Sequence, residues 1–361
     1  MTPESLRIRS SQGEYAVHFQ PTIAEVVAQA MAVEGALFVV DRKVADAYRD
    51  ALAPVLATEP LLIDATEEEK SFEGVGKVAT WLLSKRANRN TMMVVIGGGI
   101  TQDLASFTAH IYHRGMRWMF VPTTLLAMCD SCIGAKNGIN FSHAKNQLGA
   151  FHSPTAVHVC VDFIRTLTTG DVTSGFGEVL KLALTGSDAL FTDLTHALDR
   201  DGMTTPELPR LIRACLAVKK RFIEEDEFDT GVRRQLNYGH TFGHALESLT
   251  SHAIPHGQAV AWGCDLINFV AARRGKLDET TRARIQGVIR RHFACRLPRA
   301  VSAQELLAAA KTDKKSAGGA VSLVFLERPG KLSLHKTVLD EVLEAQVAEY
   351  LEEHDVFRPG A

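Results

Sequence analysis

The chain has 361 residues, enough for about two domains that each bury their own core, with 46% apolar and 23% charged residues and a formal net charge of −2. That balance leaves no electrostatic footprint for nucleic acid or an anionic membrane, so any anionic ligand must be held by a local cluster of charge. Six scattered cysteines, no signal-like leader and no apolar run near the ~20 residues of a membrane span fit a reduced, cytoplasmic setting.

In chain order, alternation over 6–19 predicts a strand pair turned at Gly13, and 23–33 has helical spacing. ALFVVD (36–41) and PLLID (60–64) read as short buried strands around a helix over 45–55, the start of a βαβ pattern. In ATEEEKSFEGVGKVATWLLSKR the acids come first and the apolar spacing afterwards, as a helix start favours.

TMMVVIGGGITQDLASFTAHIY (91–112) runs a buried strand into three glycines and a helix with Asp103 in its first turn. Glycines there permit close backbone approach and leave helix N–H groups for a pyrophosphate, although GGG is not GxGxxG and a plain tight turn reads equally well. Residues 118–154 read as a strand, a Pro-Thr-Thr turn and a long irregular segment carrying Asp130, Lys136, Lys145 and Asn146, suited to anion binding or to a solvated loop. Its Cys129-x-x-Cys132 pair has no second pair or partnered histidine, which favours packing over a zinc knuckle.

From Phe163 the period is helical. GFGEVLK places Glu178 and Lys181 one turn apart on an apolar helix, where an unpaired buried charge costs several kcal/mol. Further helices are expected at about 190–199, 207–227, 233–250, 257–274, 279–293 and 303–311, with a hairpin over 321–335 turned at Pro329-Gly330. Domains 1–158 (α/β) and 159–361 (helical) follow from this change of period.

RRQLNYGHTFGHALE is the most informative stretch. Read as one helix, Arg233, Asn237, His240, His244 and Glu247 recur every three or four residues and form one polar stripe. His256, at the start of the next helical run, joins His240 and His244 as a candidate divalent-metal nest; capping or core hydrogen bonding is the other use for such histidines.

GGGITQDLASF, VPTTLLAMCDSCIGAKNGIN with KNQLGAF, GFGEVLK, and RRQLNYGHTFGHALE with HGQAVAWG stand in order along nearly the whole chain, which resembles the sugar phosphate cyclases of the dehydroquinate synthase type. The resemblance implies an N-terminal Rossmann-like NAD-binding domain, a C-terminal helical metal domain, NAD+ and substrate held between them, and a homodimer. It makes Glu178, His240 and His256 the ligands of a divalent metal, Zn2+ first and Co2+ second, and moves His244 to the substrate phosphate. Asp130, Lys181 and Lys219 would surround substrate hydroxyls. Lys136, Asn146, Asn237, His244 and a lysine of the DKK (Lys314 or Lys315) would meet the phosphate, with Arg114 reaching across from a second subunit. For NAD+ it implies Glu67 and Lys70 near the ribose, Gly98 and Gly99 at the pyrophosphate, and Asp103, Thr123, Thr124, Lys136 and Lys145 nearby.

The implied reaction oxidises a secondary alcohol transiently, eliminates phosphate, reduces the ketone back and closes a ring by an intramolecular aldol step, so NAD+ is regenerated. The substrate expected is 3-deoxy-D-arabino-heptulosonate 7-phosphate, giving 3-dehydroquinate; sedoheptulose 7-phosphate, inosose-type chemistry and a metal-containing polyol dehydrogenase are the alternatives. The acid is favoured because a guanidinium at Arg233, on the stripe with His240, is costly to leave unpaired and a carboxylate fits its fork; Glu225, Asp226 or Asp229 could instead neutralise it. The chain departs from the usual pattern at Thr101-Gln102, where a branched residue and glycine are typical, at Ala135, which replaces a glycine, and at Cys132, which replaces a small hydroxyl residue.

Overall fold

The computed structural model describes residues 5–142, 144–313 and 320–354. Two units divide the chain, the first comprising the described residues up to Thr168 together with 220–228, the second running from Thr169 to Lys219 and from Asp229 onward. The first unit thus keeps the last strand and the short 3-10 turn Val161–Thr166, where the Tyr48 hydroxyl donates to the Asp162 and Phe163 carbonyls.

In the first unit, β1 (Leu6–Ser10) and β2 (Gly13–Phe19) form the expected antiparallel pair. Then come α1 (Ile23–Met31), β3 (Leu37–Asp41), α2 (Arg42–Ala47), α3 (Ala53–Leu56), β4 (Leu61–Ile63) and α4 (Phe72–Ser84). The helix expected over 45–55 is therefore two short ones. Ser71 caps α4 through the Gly74 N–H, so the acids at 67–69 precede the helix instead of filling its first turn. β5 (Met92–Gly97), buried at every position, leads into α5 (Gly99–Ile111), and β6 (Arg117–Pro122) follows.

The stretch expected to be irregular is ordered. It forms a π-helical turn (Ala127–Ser131) and an antiparallel hairpin of β7 (Lys136–Phe141) and β8 (Ala144–Phe151) before β9 (Ala156–Val159). Its Gly, Asn and Lys content hid a two-stranded ribbon in which Asn137, Gly138 and Ile139 of β7 are buried and β8 is mostly exposed. Seven strands make one sheet in the order β1-β2-β9-β6-β5-β3-β4, parallel from β2 onward, which is why the central strands read as continuous apolar runs.

His158 on β9 lies opposite His18 on β2, with rings stacked at 4.9 Å, and the Gln20 amide nitrogen sits 3.3 Å from His158 Nδ1. Burial, with the neighbouring His18, lowers His158 to about 4, so the folded unit refuses a proton that the unfolded chain takes up near pH 6.5. The contribution of His158 to stability should therefore fall as pH drops through the window from 6.5 to about 4, by about 2 kcal/mol between pH 7 and pH 5. Urea unfolding at both pH values should show a change from pH 7 to pH 5 that is less favourable in the wild type than in His158→Met by about that amount.

The second unit holds α6 (Thr169–Gly186), α7 (Asp188–Asp201), α8 (Leu208–Glu225, its last turn counted with the first unit), α9 (His240–Leu249), α10 (His256–Arg273), α11 (Glu279–His292), α12 (Ala303–Asp313), the β10–β11 hairpin (Ala320–Arg328 and Lys331–Val338) and α13 (Glu341–Glu353). Sequence periodicity missed α13. Its Tyr350 hydroxyl donates to buried Asp265 of α10. Among the described residues no helix is long and apolar enough to cross a membrane.

Candidate active site

The stripe read as one helix is broken. Val232–Asn237 is a 3-10 turn, Gly239 takes a left-handed φ of 78°, and α9 begins only at His240. The cause is packing: a Cβ on Gly239 would lie 2.4 Å from Cys264 Sγ, and one on Gly263 would lie 2.1 Å from the Gly239 carbonyl oxygen, so the backbone before α9 rests directly on α10. Arg233 and Asn237 thus reach their places from a separate turn, not from the helical face of His240. Arg233 is 3% exposed and has interactions within the protein, so the cost of an unpaired guanidinium no longer argues for a substrate carboxylate.

The metal candidates converge. Ligand atoms of His240, His244 and His256 lie within 4.8 Å of one another, and Glu178 Oε1 is 3.0 Å from His256 Nε2 and 3.5 Å from His240 Nε2. Glycines bring these residues together: a Cβ on Gly177 would fall 1.9 Å from the Gly257 carbonyl oxygen, so α6 and α10 touch backbone to backbone beside Glu178 and His256. Glu178 Oε2 is also 2.6 Å from Lys181 Nζ, which gives the buried lysine the partner its position demanded.

Electrostatics fit a cation. Burial alone would raise the Glu178 carboxyl, but Lys181, His240 and His256 outweigh it and hold it well below its usual value. Burial pushes the His240 imidazole well down, and its Nδ1 faces the Tyr238 carbonyl at 3.2 Å, an acceptor that requires the N–H there and leaves Nε2 as a lone pair toward Glu178. His256 sits between two carboxylates, Nδ1 2.9 Å from Glu247 Oε2 and Nε2 3.0 Å from Glu178 Oε1; against the effect of burial they raise it to about 10. A divalent ion among Glu178 Oε1 and the ring nitrogens would take the place of that bridging proton, and Glu247 would remain behind His256, as carboxylates do behind metal-bound imidazoles. Residues of this unit therefore fit a metal. Lys219 is buried on α8, while Lys314 and Lys315 lie outside the described residues.

In the first unit the nucleotide candidates gather at the end of β5. Gly98 caps α5 with no side-chain hydrogen bond and a Cβ on Gly99 would meet nothing within 4 Å, so the helix start carries no side-chain cap and has open space beside Gly99. A Cβ on Gly98 would lie 2.8 Å from Thr124 Cγ2, and the buried Thr123 hydroxyl, like that of Thr101, has no partner among the described residues. Lys70 Nζ pairs with Asp103 Oδ2 at 2.7 Å, the Gly138 N–H donates to Asp103 Oδ1, and the Asn140 amide donates to Glu67 Oε1 at 2.8 Å with Lys145 Nζ 3.8 Å from the same oxygen. Asn140 is a residue that sequence reasoning missed; its backbone N–H donates to the Lys70 carbonyl at 2.8 Å, which sets its amide beside Glu67. An uncapped helix start, orphaned hydroxyls and a lysine–carboxylate pair are a fitting cradle for a dinucleotide.

Asp130 is buried on the π-helical turn, Lys136 opens β7, and Asn146 sits on β8 with φ 51°. Ala135 has φ 62°, a conformation that glycine adopts without cost, so the departure from the usual glycine carries local strain in front of Lys136. Exposed Arg114 follows His113 in left-handed conformation, φ 63° and 51°. Both thiols of the CxxC are buried and donate to backbone carbonyls within their own turn, as packing residues do.

Residues 60–174 match the 3-dehydroquinate synthase N-terminal family model and residues 175–316 the C-terminal one. The 3-dehydroquinate synthase of Opitutus terrae is 38% identical over 297 residues, 81% of this chain and 82% of that one, and that of Blochmanniella floridana is 35% identical over 82% of each. Among solved structures, 2-epi-5-epi-valiolone synthase from Streptomyces hygroscopicus with NAD+ and Zn2+ bound superposes with a TM-score of 0.84 at 27% identity, covering 94% of this chain and 97% of that one. A 2-deoxy-scyllo-inosose synthase complexed with carbaglucose-6-phosphate, NAD+ and Co2+ has the same TM-score at 21% identity, over 96% and 100%, and shows the shared fold. Matched in both halves and at these identities, the chain belongs to the 3-dehydroquinate synthase family.

Proposed function

We propose that this protein is an NAD+- and divalent-metal-dependent sugar phosphate cyclase, a carbon–oxygen lyase converting 3-deoxy-D-arabino-heptulosonate 7-phosphate to 3-dehydroquinate and phosphate. The carrying observation is the meeting of Glu178 Oε1 with the Nε2 atoms of His240 and His256, in a chain matched by both halves of the family.

Glu178, His240 and His256 would hold the metal, Zn2+ first and Co2+ second; when bound it polarises substrate oxygens as a Lewis acid. NAD+ supplies reversible hydride transfer. The rest falls to the chain. Asp130, Lys181 and Lys219 orient the hydroxyls, with Lys181 able to hold a proton beside the carboxylate it already pairs with. Lys136, Asn146, Asn237 and His244 bind the phosphate, Arg114 would add a cation from a second copy of a homodimer, and Arg233 is assigned to the substrate carboxylate by the family resemblance alone. Gly98 and Gly99 take the pyrophosphate and Glu67 and Lys70 the ribose, with Asp103, Thr123, Thr124, Lys136 and Lys145 nearby. Multi-point clamping of this kind keeps the reactive enol on one path. A reduced, cytoplasmic setting suits six cysteines of which none forms a disulfide.

Phosphate release from the seven-carbon acid phosphate and from sedoheptulose 7-phosphate tests the reading. The acid should be turned over faster, with NAD+ required and no lasting NADH absorbance; Arg233→Met should cost the acid roughly 2–5 kcal/mol in kcat/KM and spare the neutral sugar. Steady NADH accumulation equal to product would make the protein a polyol dehydrogenase. The likeness to 2-epi-5-epi-valiolone synthase gives the neutral sugar its place: faster turnover of that substrate would replace the dehydroquinate assignment with a specialised cyclase.

A further inference from the structure

Gln102 stands in the first turn of α5 and is 4% exposed, an uncharged carboxamide buried where both its ends must be used. Both are spent on one residue. Its Nε2 donates to the Ser131 carbonyl at 2.8 Å, and the Ser131 hydroxyl donates back to its Oε1 at 2.7 Å. Ser131 closes the π-helical turn, in which the Cys132 N–H reaches five residues back to the Ala127 carbonyl at 3.0 Å. Asp130, buried, is the residue before it. At the other end, the Gln102 N–H donates to the Gly98 carbonyl at 2.9 Å, so a continuous run of hydrogen bonds links the glycine turn to the turn that carries Asp130.

A π turn is a rare and less stable form of helix, kept where something outside it holds the extra residue. Relaxation to α bonding would rotate the following side chains by about 100°, the angle per residue, and swing Asp130 off its present direction. The Gln102 clamp opposes that by fixing the hydroxyl and the carbonyl of the turn's last residue together. Glycine, the residue typical at this position, could make neither bond.

We propose that Gln102 is a positioning residue that locks the π turn of Asp130 to the glycine turn, so that NAD+ binding at Gly98 and Gly99 and the placement of Asp130 on the substrate are energetically coupled. The proposal rests on the cyclase reading for the roles of Asp130 and the glycine turn. Coupling of this kind is reciprocal: NAD+ must tighten the Asp130 turn as much as the turn tightens NAD+.

The test is amide hydrogen exchange across 127–132 in the full-length protein, with and without NAD+, for the wild type, Gln102→Leu and Ser131→Ala. NAD+ should slow exchange in this segment of the wild type by roughly tenfold and leave it unchanged in Gln102→Leu, with β5 and β6 amides alike in both. Substrate KM should rise about tenfold in Gln102→Leu, with kcat reduced less. Ser131→Ala, which removes one bond of the two, should fall between and serves if Gln102→Leu does not fold. Equal protection by NAD+ in the wild type and the variants, or no protection in the wild type, overturns the proposal. Failure of the wild type to release phosphate from any sugar phosphate would instead sink the cyclase reading, leaving exchange to decide whether the clamp holds.

Discussion

Glu178→Gln is expected to leave the protein without its metal and to lower kcat/KM by about 10³-fold, the several kcal/mol that a Lewis acid supplies at tenfold per 1.4 kcal/mol. The amide keeps the shape of the side chain and removes its charge. That charge serves two partners, the imidazole pair at 3.0 and 3.5 Å and Lys181 at 2.6 Å, so its loss takes a carboxylate from a lysine that is 3% exposed and should cost about 3 kcal/mol of stability. The two effects separate with a second variant: Lys181→Met alongside Glu178→Gln removes the buried cation beside the amide, and should recover part of the stability while metal binding stays lost. Elemental analysis and urea unfolding read the two quantities independently. Full metal content in Glu178→Gln would remove Glu178 from the ligand set and return the site to the three histidines, whose atoms lie within 4.8 Å of one another.

The division between the visible and the hidden in this sequence follows the range of the interactions involved. Runs such as MMVVIG and the acid-lysine pair of GFGEVLK were legible, because a strand buried on both faces and a charge inside an apolar helix each leave a local mark. The three histidines were legible as a cluster, yet the spacing that nominated them also suggested a continuous helix, and Gly239 defeats it through a contact with Cys264, twenty-five residues on. Glu178 is not close in sequence to any histidine; only the resemblance brought it into the metal set before the helices were seen to touch. The hairpin of β7 and β8 escaped for the opposite reason, since a polar ribbon shows no alternation, and with it went Asn140 against Glu67. Helix α13 was passed over although Asp340 caps it in the ordinary way, its side chain accepting from the Leu343 N–H.

Gly257→Ala should abolish tight metal binding with every ligand residue still present. The added Cβ would lie 1.7 Å from the Ser174 carbonyl oxygen and 2.6 Å from its carbon, both backbone atoms, so no side chain can turn aside and α10 must move from α6. The same contact holds the Gly257 N–H on Ser174 Oγ at 3.0 Å, which would be lost with it. His256 precedes Gly257 and Glu178 follows Gly177, so any separation of the helices opens the 3.0 Å contact between the ligands directly. A metal site tolerates about 0.2 Å of error in ligand distance, and relief of this overlap needs roughly an ångström or more. Metal affinity should therefore fall more than about 100-fold, and overpacking should take about 3 kcal/mol from stability. Gly76→Ala is the control: its Cβ would meet nothing within 4 Å in the middle of α4, and the change should be neutral or stabilising by under about 1 kcal/mol. Competition with a chromophoric chelator measures the affinities, and circular dichroism checks that the helices persist. Wild-type affinity in Gly257→Ala would mean that the α6–α10 contact yields without moving Glu178 from His256, and the idea that these glycines set the metal geometry would fall.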